Sequence, residues 1–176
     1  MLHGLKREKA YIKRYPTPKK RTVNVAHSAT IRVFCSEGEN EEAILCGLKS
    51  LLPFDLEKEK ITMQKQTAFG FSDKKIAIFE VLLTKSRHIK AFLDSTLPKI
   101  SGTDKQMLLR QLDSRIDDNA NFFVRLEKEM LVKHNELLVT DGGNCYHVRI
   151  KVASFPSTKK AAMAVMEKVL AESLNK

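Results

Sequence analysis

A chain of 176 residues with 43% hydrophobic and 30% charged side chains suffices for one globular domain, which at this size removes roughly 70% of its unfolded surface from water. That composition excludes a disordered or membranous chain, and the longest apolar run, 76–83, is interrupted by Glu80 and falls far short of the ~20 residues a membrane helix needs. The net charge is +10, and residues 1–24 hold eight basic side chains against Glu8 alone, so seven of the ten surplus charges lie there.

The remaining 152 residues are therefore nearly balanced, and the chain divides into a basic arm, 1–24, and a single α+β domain, 25–176. The arm carries Arg14, Lys19, Lys20 and Arg21 around Tyr15, Pro16 and Pro18, and two prolines so close together do not extend a helix. It is read as mobile, offering phosphate attraction with tyrosine stacking; a tail serving only solubility explains the same composition. No apolar segment follows these charges as in a secretory signal. Cys35, Cys46 and Cys145 are odd in number and lack C-x-x-C spacing, which suggests neither a disulfide framework nor a zinc site. A reducing cytoplasm is the expected location, and no cofactor or metal is expected.

In chain order, 25–36 alternates as a strand, and 39–52 follows as a helix with Ile44, Leu48, Leu51 and Leu52 on one face and Glu39, Glu41 and Glu42 in its first turn, the sign a helix start favours. Strands over 60–67 and 75–83 flank a reversal containing Gly70 and Asp73. A helix over 86–97 ends at Pro98, and Thr103 with Gln106 three residues on opens another, running to about 117–119. Residues 121–127 read as a strand with Phe122, Val124 and Leu126 on one side and Phe123, Arg125 and Glu127 on the other. The stretch 128–135 is ambiguous between loop and one helical turn. Residues 137–140 and 145–154 are expected to form a hairpin around Asp141-Gly142-Gly143-Asn144. Ser157 is the expected cap of a last helix whose apolar stripe runs from Ala162 to Leu174. The order β-α-β-β-α-α-β-β-β-α implies an α+β fold of one mostly antiparallel sheet with helices packed on one face.

The strand beginning at Cys145 separates two chemistries most clearly. Tyr146, Val148, Ile150 and Val152 point one way; Cys145, His147, Arg149 and Lys151 point the other. If the sheet brings this second face beside Phe123, Arg125 and Arg32, the result is a cationic surface carrying an aromatic ring, suited to RNA whose bases stack while guanidinium groups hold phosphates. A merely solvated outer face accounts for the charges but not for Phe123 among them. A second candidate is a phosphate site at helix starts bearing Lys85 and Arg87, or Lys159 and Lys160, where free N–H groups favour an anion; solvated surface cations are the competing account. A third is a two-metal site built from Asp113, Asp117, Asp118 and Asp141, although capping and turn roles explain those carboxylates at less expense. No catalytic residue is assigned.

Several motifs in order resemble the archaeal family of small RNA-binding proteins labelled predicted exosome subunits: A-H-S-A at 26–29, L-P-F at 52–54, G-F at 70–71, S-R-I-D at 114–117, N-F-F-V-R-L at 121–126, D-G-G-N-C-Y-H-V-R-I-K-V at 141–152, and F-P at 155–156. The resemblance spans about 25–170 and leaves the arm outside. It implies a fold similar to the large-subunit ribosomal protein that binds 5S rRNA, and a non-enzymatic RNA-binding role in RNA processing, with RNA and exosome or ribosomal components as partners and no membrane. A protein-interaction subunit of an RNA-processing complex and a metal-dependent ribonuclease are the alternatives.

Overall fold

The computed structural model describes residues 24–70 and 74–175. The basic residues Arg14, Lys19, Lys20 and Arg21 of the arm lie outside the described residues. Five strands form one antiparallel sheet in the order β2-β3-β1-β5-β4: β1 (Ala26–Ser36), β2 (Met63–Phe69), β3 (Lys75–Leu83), β4 (Asn121–Glu127) and β5 (Cys145–Val152). The helices α1 (Glu41–Ser50), α2 (Ser86–Thr96), α3 (Gly102–Arg110), α4 (Leu112–Arg115), α5 (Lys128–His134) and α6 (Lys159–Leu174) complete the α+β layout.

Alternation decides which side of the sheet is covered. Ala29, Ile31 and Val33 of β1, Phe79, Val81 and Leu83 of β3, Phe122, Val124 and Leu126 of β4, and Tyr146 to Val152 in steps of two on β5 all lie in the core. Against them pack Ile44 and Leu48 of α1, Ile89 and Phe92 of α2, and Ala162, Met166 and Leu170 of α6. Residues one position along each strand face the other way, where among the described helices only the α3–α4 segment comes close, at the β4 margin.

Tyr146 ties the central strand to α1. It is fully buried, and its hydroxyl donates to the Ile44 carbonyl at 2.8 Å. This approach needs a glycine at 47, because a Cβ there would stand 2.2 Å from the Tyr146 oxygen. Burial pushes the phenol's pKa far up, and the neighbouring Glu39 carboxylate adds to it. Asn40 caps α1 by accepting from the Ala43 N–H at 3.0 Å, with Glu41 and Glu42 in the favourable first turn.

Three local expectations are revised and one open stretch takes a definite form. Residues 137–140 do not form a hairpin with β5. They run along the outer edge of β4 through one bridge, Leu126 to Val139, with Glu127 N–H donating to the Leu138 carbonyl and Thr140 N–H to the Arg125 carbonyl. The helix expected from Thr103 is capped two residues earlier by Ser101, whose hydroxyl accepts from Asp104 N–H at 3.0 Å, and it breaks at Gln111 into α3 and α4. Thr158, not Ser157, caps α6. The ambiguous 128–135 stretch is α5, ended by Asn135 in the left-handed conformation with φ 55°.

Candidate nucleic-acid interface

Antiparallel register places the uncovered side chains in cross-strand rows. One row reads Gln64, Glu80, Arg32, His147, Arg125 from β2 to β4. The neighbouring row reads Leu82, Thr30, Arg149, Phe123, and the next Ser28, Lys151, Asn121. Thus the six predicted sheet residues Arg32, Phe123, Arg125, His147, Arg149 and Lys151 share one face on the adjacent strands β1, β5 and β4. Directly opposed side chains sit about 4.5–5.5 Å apart at Cβ, so the cations form one surface.

Each member has a definite setting. Phe123 and His147 are half-buried neighbours with ring centroids 5.7 Å apart, tilted by 38°. His147 is held below its ordinary pKa by burial and then by the charges of Arg125, Arg32 and Arg149, so the ring is neutral at neutral pH. Arg149 is exposed and donates weakly to the Thr30 hydroxyl at 3.4 Å. Arg125 is exposed and donates to the Asp141 carbonyl at 2.9 Å. Lys151 donates to the Asn119 carbonyl. Arg32, expected as a member of the cationic face, pairs with Glu80 across the strands, Nε to carboxylate at 2.6 Å; its net contribution to the positive field is correspondingly smaller.

At the β4 margin this face deepens into an open depression of about 450 Å³ bounded by Phe123, Arg125 and His147 on the sheet, Gln111, Ser114 and Arg115 from the α3–α4 segment, and Asp141. Arg115 has only a tenth of its side chain exposed. Its Nε donates to the Gln111 side-chain oxygen at 2.8 Å and its terminal nitrogen to the Asp141 carboxylate at 2.8 Å. The S-R-I-D motif contains this arginine, but helical periodicity offered no role for it because its carboxylate partner, Asp141, lies on the turn after residue 140.

The helix-start cations are differently placed. At α2 a carboxylate of the chain itself stands where phosphate was expected: Glu59 pairs with Arg87 and lies 2.9 Å from His88 Nε2. Lys85 is the uncapped N-cap residue of that helix. At α6, Lys159 pairs with Asp113 at 3.0 Å, while Lys160 is exposed. Neither pair belongs to the sheet face. The four aspartates are not gathered. Asp117 accepts from Asn119 and Asn121 main-chain N–H groups and from the Asn121 amide; Asp113 faces Lys159 and Asp141 faces Arg115. Among the described residues no three His, Cys, Asp or Glu side chains are grouped to hold a metal ion, and no helix is long and apolar enough to cross a membrane.

An antiparallel sheet backed by helices, with an uncovered basic face bearing aromatic rings, is an arrangement shared with proteins that receive RNA on a sheet surface. The chain belongs to the protein family described as RNA binding, whose family model matches residues 28–171. It is 27% identical over 145 residues to RNA-binding protein PAB1135 of Pyrococcus abyssi, covering 82% of this chain and 94% of that relative. Its fold is similar to that of protein AF2318 from Archaeglobus fulgidus, with TM-score 0.73, 22% identity and coverage of 82% and 99% of the two chains. It is also similar to Mth689, a DUF54 protein from Methanothermobacter thermautotrophicus, with TM-score 0.66, 21% identity and coverage of 83% and 98%.

Proposed function

We propose that this protein is a non-enzymatic RNA-binding accessory that receives unpaired or partly structured RNA on the β1-β5-β4 face. The carrying observation is the register that aligns Arg32, His147 and Arg125 in one row beside Arg149 and Phe123 in the next. Arg149, Arg125 and Lys151 contact phosphates, Arg32 adds to them from its pair with Glu80, and Phe123 with His147 offers the stacking platform. Arg14, Lys19, Lys20 and Arg21 of the arm raise affinity without choosing sequence, and Lys85 and Lys160 lie apart as secondary phosphate contacts. The setting is RNA processing or ribosomal RNA metabolism in the cytoplasm, with exosome or ribosomal components as associated partners; the resemblance to predicted exosome subunits and to the 5S-rRNA-binding ribosomal protein supports this context.

A protein-contact subunit is the second reading, favoured by Phe34 and Leu82, which are 40% and 46% exposed on the β3-β1 half of the same face. Salt separates the two. Each phosphate contact to a single strand lowers log K by about 0.7 for a tenfold rise in salt, whereas an apolar protein contact changes little. Binding of single-stranded RNA fragments by the full chain is expected to fall steeply with salt, and with Arg125, Arg149 and Lys151 all changed to alanine to weaken and lose about two units of that slope. Undiminished binding and slope in the triple variant contradict the proposed surface.

A further inference from the structure

We infer that the depression beside β4 is a pocket for one unpaired guanine base, an inference that rests on the sheet-face RNA reading and deepens it. Its volume of about 450 Å³ lies within the usual range of small-ligand pockets, about 300–1,000 Å³. Phe123 and His147 supply two neighbouring aromatic faces inclined by 38°, and base stacking on such rings tolerates any base. Selection must come from the polar rim.

Asp141 is the informative member of that rim. A carboxylate is the wrong sign for phosphate, yet it stands at the mouth of a cationic groove with 72% of its side chain exposed. It is also held from both ends: nearly buried Arg115 fixes one carboxylate oxygen, and Arg125 holds its main-chain carbonyl. The Gly142 N–H on the Thr140 hydroxyl at 3.0 Å sets the turn that follows. A fixed acceptor facing a stacking platform fits a base edge that offers donors. Guanine presents two adjacent donors, N1–H and the 2-amino group, to a single carboxylate. Adenine and cytosine each place a ring-nitrogen acceptor beside their amine, and uracil flanks its one N–H with carbonyls, so each sets a lone pair against the carboxylate. Arg115, with its Nε anchored on Gln111 and its terminal nitrogen on the carboxylate, keeps Asp141 aimed.

The test uses the full chain and RNA octamers of seven uridines with one central guanosine, adenosine, cytidine or inosine, alongside all-uridine RNA. One well-placed bidentate contact corresponds to about 5- to 150-fold discrimination, so the guanosine octamer is expected to bind that much tighter than the adenosine and cytidine octamers. Inosine, lacking the 2-amino group, should fall between. In Asp141→Asn the guanosine advantage is expected to collapse while all-uridine RNA binds as well or better, with the thermal midpoint measured alongside. Equal affinity for every octamer, preference for another base, or a guanosine advantage that survives Asp141→Asn overturns the pocket while leaving sheet-face binding in place. Failure of all octamers to bind, or binding indifferent to salt, overturns the sheet-face reading and the pocket with it.

Discussion

Replacing Gly47 by alanine sets two known effects against each other. In a helix interior alanine is favoured over glycine by about 1 kcal/mol, so at a solvent-facing position the substitution stabilises. Here the added methyl would lie 2.2 Å from the Tyr146 oxygen, 3.0 Å from Cζ and 3.4 Å from Val132 Cγ2. The tyrosine has nowhere to retreat, since it is fully buried in the central strand and bonded to the Ile44 carbonyl. Overpacking of this kind costs about 1–3 kcal/mol, and displacing the phenol forfeits a hydrogen bond worth about 1 kcal/mol. The net expectation is a loss of about 1–3 kcal/mol, read as a lower denaturant midpoint at unchanged slope. Tyr146→Phe alone should lose about 1 kcal/mol, and the double variant should be clearly more stable than the sum of the single effects, because the phenylalanine makes room for the methyl. Stabilisation by Gly47→Ala, or strict additivity with Tyr146→Phe, would refute this account of how α1 is fastened to β5.

Three further outcomes follow from charge and burial. Burial and three arginines lower the pKa of His147, so in the free protein its stabilising neutral form is fully present above the unfolded value of about 6.5, and stability declines as pH falls through that value toward the folded one; bound phosphates reverse the local field, so RNA affinity should rise between pH 7.5 and 5.5 in the native chain more than in His147→Gln, measured by fluorescence anisotropy. Burial alone would raise the pKa of Asp117, but hydrogen bonds from Asn121 and Asn119 outweigh it and hold the carboxyl below its ordinary value; its contribution is therefore full above pH ~4 and lost as pH falls through the depressed value, and Asp117→Asn should flatten that limb of the acid-unfolding curve. Lys128, with 8% of its side chain exposed, bonds both Glu39 oxygens at 2.9 and 3.0 Å; Glu39→Ala should lose about 2 kcal/mol because it strands the nearly buried ammonium, while Lys128→Met should lose less, since Glu39 keeps a third of its side chain in water and the Ser36 N–H at 2.7 Å.

The face was legible because β1, β4 and β5 each alternate within themselves, a signal that needs no knowledge of neighbours. What alternation could not supply was which strand lies beside which, and hence that Glu80 of β3 would meet Arg32 while His147 would meet both Arg32 and Arg125. The same gap explains residues 137–140. Asp141-Gly142-Gly143-Asn144 is a sound local signal for a turn, but the partner of the preceding segment is a tertiary choice, and the free edge of β4 wins it over β5. At α3 two hydroxyl residues two positions apart both satisfy the cap pattern, and Ser101 prevails although Thr103 has the better-spaced glutamine. Arg115 was hidden for a different reason: helix periodicity sorts residues into faces, and its meaning comes from Asp141, 26 positions away.

Where RNA touches the chain can be read by amide chemical-shift mapping of the full protein titrated with short single-stranded RNA. Perturbations concentrated on Thr30 to Arg32, Phe123 to Arg125, and His147 to Lys151, fading as salt rises, are the expected result. Perturbations concentrated on α1, α2 and α6, with those strand residues unmoved, would contradict it.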